Sequence, residues 1–95
     1  MKMEWKDYDP EWLAALAGVQ VPEEPWLPDA IRQCTRCSVK SEAYTYFVSP
    51  ENANEPGAEW QFDVNIILED DKQGDVVLDV LKGHRVGGIE FLSKL

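Results

Sequence analysis

From Trp60 to Glu69 the chain alternates apolar and polar side chains. Trp60, Phe62, Val64, Ile66 and Leu68 fall on one side, and Gln61, Asp63, Asn65, Ile67 and Glu69 on the other. A period of two marks a half-buried strand, so this segment is expected to supply the central inner face of the fold. Asp70-Asp71-Lys72-Gln73-Gly74-Asp75 reads as a reversal. A second strand over Val76 to Leu81, a turn at Lys82-Gly83-His84-Arg85 and a last strand from Val86 to Leu92 follow. The Gly87-Gly88 pair predicts a bulge or a close backbone approach inside that last strand. Upstream, residues 37–48 favour β structure, most strongly at Tyr44-Thr45-Tyr46-Phe47-Val48, as one bent strand or two short ones. Ser49 to Gly57 concentrates turn formers and no large apolar side chain, which predicts an exposed loop.

Nearer the N-terminus the period changes from two to that of a helix. Asp9 suits an N-cap, Pro10 the first helical position and Glu11 the positive end of the dipole. Trp12, Leu13, Leu16 and Ala17 form an apolar stripe that Gly18 can close, a helix of about two turns. So short a helix is marginal alone and must dock on the sheet, with Trp12 in the core. Residues 19–29 hold three prolines and exclude a regular element, although Asp29 can cap a brief helical turn from Ala30 to Cys34. The pattern predicts a single α+β domain over residues 1–95: an antiparallel β-meander of four to five strands with one short N-terminal helix packed on it.

Charge then narrows the choice of partner. Eighteen Asp and Glu residues against nine Lys and Arg give a net charge of −9 on 95 residues. Such a surface repels nucleic acid and anionic lipid and attracts cationic partners. Residues 1–30 carry seven acids against Lys2 and Lys6, whereas Arg32, Arg36 and Lys40 alternate and would share one face of an extended segment. No apolar run reaches the roughly 18 residues that a membrane span needs, and the opening Met-Lys-Met-Glu-Trp-Lys-Asp lacks an apolar leader core. The expected location is cytoplasmic.

The groups that could carry chemistry do not assemble into a team. Cys34 and Cys37 have the spacing of half a zinc site or of a redox pair, but His84 is the single histidine and no helix is expected to follow them. Two reduced cysteines beside a strand, one facing in and one out, fit better. Glu69, Asp70, Asp71 and Asp75 evoke a calcium loop, yet Val80 stands where the bidentate acid belongs. His84 between Gly83 and Arg85 reads as an exposed turn with no nucleophile or orienting carboxylate assigned to it. The chain is therefore expected not to be an enzyme and to hold no cofactor and no metal. Trp60 is explained as core, while Trp5 and Trp26 lie in acid-rich stretches where an aromatic anchor beside carboxylates suits a binding surface.

Residues 74–92, Gly-Asp-Val-Val-Leu-Asp-Val-Leu-Lys-Gly-His-Arg-Val-Gly-Gly-Ile-Glu-Phe-Leu, resemble the repeating strand, glycine turn and strand of small bacterial proteins of unknown function. As a short acidic helix-plus-sheet protein the chain also resembles bacterial immunity proteins, which neutralise toxins of contact-dependent or polymorphic systems. That resemblance implies a stoichiometric inhibitor of a basic protein partner, such as a toxin. The expected contacts are Asp70, Asp71 and Asp75 at the hairpin tip, Glu23, Glu24 and Trp26 in the connector, and Glu51 and Glu55 in the long loop. The alternative is a homo-oligomeric structural or regulatory module, a homodimer in its simplest form, held by an exposed strand edge or by aromatic residues that one helix leaves uncovered.

Overall fold

The computed structural model describes residues 3–95; Met1 and Lys2, part of the stretch read above for a leader and for charge, lie outside the described residues. Two helices pack on one face of a six-stranded antiparallel sheet. The strands are β1 (Lys6–Asp7), β2 (Arg36–Val39), β3 (Tyr44–Tyr46), β4 (Phe62–Asp70), β5 (Gly74–Leu81) and β6 (Arg85–Phe91). Their spatial order is β1-β2-β3-β6-β5-β4, and every adjacent pair is antiparallel. The expected α+β class holds. A plain meander does not, because β6 inserts between β3 and β5 and joins two smaller meanders into one sheet. The loop from β3 to β4 therefore crosses the width of β6 and β5, which explains its length.

Helix α1 (Glu11–Gln20) starts one residue later than the sequence suggests, with Pro10 at the N-cap position and Asp9 before it. The Glu11 amide donates to Asp9 Oδ1 at 3.0 Å, so Asp9 satisfies one of the free amides at this end. The helix runs past Gly18 to Gln20, and the Val21 amide closes it on the Ala17 carbonyl at 2.9 Å. Helix α2 (Leu27–Arg32) begins three residues earlier than the expected turn and includes Pro28. A proline in the first helical turn removes only an amide that has no partner there, so the proline-rich connector ends sooner than its composition suggested.

The core lies between the helices and the sheet. Leu13, Ala14, Ala17, Leu27, Ala30, Ile31 and Cys34 meet Leu68, Val76, Leu78, Val86 and Ile89 from β4, β5 and β6. Two assignments from the pattern change. Trp12 is 36% exposed and stacks on Phe91 at the surface, its indole donating to the Tyr8 hydroxyl at 3.1 Å. The alternating strand β4 is an edge strand rather than the central one: Leu68 is buried, but Phe62 and Val64 remain 38% and 48% exposed. Helix α1 covers only the Leu68 end of β4.

Both cysteines are buried and reduced. They do not divide into one inside and one outside, because Cys34 precedes β2 and lies against α2 and Val86. Arg32, in α2, pairs with Glu11 at 3.1 Å, whereas Arg36, in β2, pairs with Asp7 on β1 at 3.1 Å, so the expected basic stripe does not form. The glycine pair does produce a bulge: the β5–β6 register shifts between Asp79 and Val80, opposite Gly87. Among the described residues no helix is long and apolar enough to cross a membrane.

Candidate functional site

The helices cover one face of the sheet, and alternation turns the other side chains of the same strands to the opposite face. Two rows cross that face in register. One runs Asn65, Asp79, Gly88, Tyr46 and Ser38; the other runs Ile67, Val77, Glu90 and Tyr44. The contacts agree with this register. Asn65 Nδ2 donates to Asp79 Oδ1 at 2.7 Å, and a side chain built onto Gly88 would meet the Tyr44 ring at 3.1 Å and the Thr45 carbonyl at 2.9 Å.

A long loop closes one end of this face. Trp60 leaves it to lie over Leu81 and Gly87, where a Cβ on Gly87 would fall 2.8 Å from the indole ring. Tyr46 meets the same indole edge-on at 5.9 Å, and Tyr44 tilts against Tyr46 at 4.7 Å between ring centroids. Trp60 is thus buried as expected, but against the face opposite the helices. What remains beyond it is a shallow acidic and aromatic floor of Asp79, Glu90, Tyr44 and Asn65, with Ile67 and Val77 beside it.

Asp79 and Glu90 are diagonal neighbours on adjacent strands, within the reach over which cross-strand side chains interact. Both are half-buried, and among the described residues no ion pair neutralises either one. Burial, and then the Glu90 charge, push the Asp79 carboxyl up to about 6. A carboxylate so placed gains from any cation that approaches it. The neighbouring tyrosines offer ring faces that attract ammonium or guanidinium groups. Among the described residues, the two best-formed cavities lie away from the pair. One, of about 150 Å³, is lined by Cys34, Phe47, His84 and neighbours. The other, of about 290 Å³, is lined by Ser49, Glu51, Asn52 and Glu59.

No family model, curated protein or solved structure matches the chain.

The residues expected from sequence occupy three separate places in the fold. Glu23, Glu24 and Trp26 lie between α1 and α2, where Glu24 accepts a hydrogen bond from the Trp26 indole and Trp26 stacks flat on His84 at 4.1 Å. Glu51 and Glu55 project from the β3–β4 loop, Asp71 lies in the β4–β5 turn, and Asp70 and Asp75 stand at the strand ends that flank it. These glutamates and aspartates flank opposite ends of the nine-residue β4, which puts them roughly 30 Å apart along the strand. Asp70 already serves the turn, its Oδ2 accepting from the Lys72 and Gln73 amides at 3.2 and 2.9 Å. Among the described residues no three His, Cys, Asp or Glu side chains converge on a possible metal position.

Sequence reasoning passed over Asp79 and Glu90 because neither belongs to an acidic run. A signal was present. Asp79 is the one charge inside Val76-Val77-Leu78-Asp79-Val80-Leu81, and Glu90 the one charge inside Gly87-Gly88-Ile89-Glu90-Phe91-Leu92. A lone acid in a strand of aliphatic residues carries a desolvation cost that an incidental position does not require.

Proposed function

We propose that this chain is a stoichiometric acidic binding protein that occupies a basic surface on a protein partner, in the manner of an immunity or antitoxin-like inhibitor. One observation carries the reading: the half-buried Asp79–Glu90 pair on the sheet face away from the helices, walled by Tyr44 and, among the described residues, without an ion-pair partner. Bringing an Arg or Lys onto this floor relieves the repulsion between the two carboxylates and adds contact with the tyrosine ring. The net charge of −9 supplies long-range steering toward such a partner. The acids at Glu23, Glu24, Glu51, Glu55, Asp71 and Asp75 add to that field from the loops and the start of β5, and Trp26 adds an aromatic contact. The partner is blocked by being covered, with no bond made or broken.

The test begins with capture from native lysate on the immobilised protein at low salt, followed by elution in a salt gradient. The association rate with the captured partner is then measured against ionic strength. The expected result is a basic protein whose association slows at least about tenfold between low and physiological salt. Recovery of the bait alone, or an association rate indifferent to salt, removes the reading.

A second reading, a homo-oligomeric module, draws on the β4 edge, where Phe62, Val64 and Ile67 are exposed. Light scattering separates the two, since that module must sediment and scatter as more than one chain.

A further inference from the structure

The two edges of the sheet differ. One ends in the two-residue β1, which offers little to pair with; the other is the nine-residue β4. Side chains from elsewhere occupy both ends of the outer side of β4. At the start, Asn54 Oδ1 accepts from the Phe62 amide at 2.8 Å. At the far end the Gln20 side chain acts as a one-residue strand: its Oε1 accepts from the Glu69 amide at 2.7 Å and its Nε2 donates to the Glu69 carbonyl. Because the Glu69 amide points outward, the alternation of an antiparallel pair turns the amides and carbonyls of Ile67 and Asn65 outward too. Among the described residues nothing caps those two. The edge is therefore closed at both ends and open in a window of two outward-facing residues.

Charge indicates which strand fits that window. A second copy that paired Asn65 with Ile67, using the open groups of both chains at once, would set Asp63 of each copy against Glu69 of the other. Like charges directly opposed across a strand pair are destabilising. A basic segment meets the same residues with attraction. The row Asn65–Asp79 also continues straight inward from the window, and a side chain opposite Asn65 points to the acidic floor across two strand spacings, roughly 9–10 Å. That distance is within reach of an arginine or lysine and of no shorter cation.

We propose that the open window of the β4 edge, at Asn65 and Ile67, takes up an extended basic segment of the protein partner as a seventh strand, with an Arg or Lys opposite Asn65 reaching Asp79 and Glu90 and an apolar side chain opposite Ile67. The inference rests on the basic-partner reading above and adds the manner of engagement. Affinity comes from the backbone pairing, and selectivity from the alternate side chains.

The test uses the full chain and a capped peptide, Thr-Val-Thr-Arg-Thr-Val-Thr, whose symmetry permits either strand direction. Two further peptides carry N-methyl groups on the edge-facing amides or Glu in place of Arg. The expected result is saturable shifts of the Asn65 and Ile67 amide resonances, with slowed hydrogen exchange at both. The N-methylated peptide should bind at least about tenfold more weakly, and the Glu peptide should not bind. Ile67→Pro removes one outward amide and no β4–β5 bond, so it should keep the fold and lose the peptide.

Equal binding of the N-methylated peptide overturns the strand pairing and leaves the basic-partner reading standing. Equal binding of the Glu peptide overturns both. Absence of binding by all three up to about 5 mM overturns the edge inference alone, because the salt-gradient capture tests the partner separately. Protection of Asn65 and Ile67 that grows with protein concentration and needs no peptide assigns the edge to a second copy and also overturns it.

Discussion

Replacing Asp79 with Asn should stabilise the fold, and should do so only above a particular pH. The carboxyl is raised from 3.8 to about 6 by burial first and by Glu90 second. A folded-state value above the unfolded one means that the folded chain holds the proton more tightly. Stability contributed here is fully present below about pH 4 and is lost as the pH rises through about 6. Each pH unit between the two values corresponds to about 1.4 kcal/mol, so a fully shielded group would lose about 3 kcal/mol. Asp79 is only half-buried, and solvent screening lowers this to roughly 1–2 kcal/mol. Asn is neutral throughout and its carbonyl can still accept from Asn65. Asp79→Asn should therefore match the wild type near pH 4 and melt roughly 5–10 °C higher near pH 8. Calorimetry or circular-dichroism melts of both proteins across that range measure the difference directly, since the other acids titrate in both. An equal offset at the two ends, or a lower melting temperature at pH 8, would refute the account of Asp79 as an unneutralised, desolvated carboxylate. The same variant should bind the arginine peptide more weakly, so stability and binding move in opposite directions at one residue.

The remaining expectations concern packing and accessibility. Gly88→Ala forces a methyl group onto the Thr45 carbonyl and the Tyr44 ring, and Gly87→Ala onto Trp60 and Leu81. Each should cost about 1–3 kcal/mol in urea unfolding, and a neutral result would mean that the bulge is not held against these rings. Leu78→Ala, in the middle of the core, should cost about 2–5 kcal/mol, whereas Ile67→Ala, 59% exposed, should stay within about 0.5 kcal/mol. A comparable loss at both sites would contradict the assignment of the two sheet faces. Burial pushes the Cys34 thiol up to about 12, and Cys37 is 1% exposed, so a thiol reagent at pH 8 should label neither until the protein unfolds. Rapid labelling of the folded protein would show that α2 does not seal this region.

The periodicities that repeat within one element were the legible part of the fold. Helix α1 announced itself through Leu13, Leu16 and Ala17, and the bulge through Gly87-Gly88, because both depend on local backbone demands. The place of β4 did not follow from its alternation. A period of two says which side chains share a face and nothing about how many strands stand beyond them, so a strand with an ideal apolar row became the edge. Trp12 missed the core for a related reason: α1 touches the sheet through Leu13, Ala14 and Ala17, which leaves Trp12 at the margin beside Phe91. The acidic floor was hidden further still. Asp79 and Glu90 meet only through the β5–β6 pairing, and among eighteen acids no spacing in the chain separates that meeting from chance.

The insertion of β6 also orders events during synthesis. Residues 85–91 form the strand that joins the β1-β2-β3 half of the sheet to the β4-β5 half, and they are made after both. Until they emerge, β3 and β5 each expose an edge that the finished sheet buries, and neither half can close over the helices. The nascent chain is most vulnerable to wrong pairing until these residues emerge, and a ribosome that stopped before Arg85 would release two unjoined half-sheets in place of a smaller folded protein.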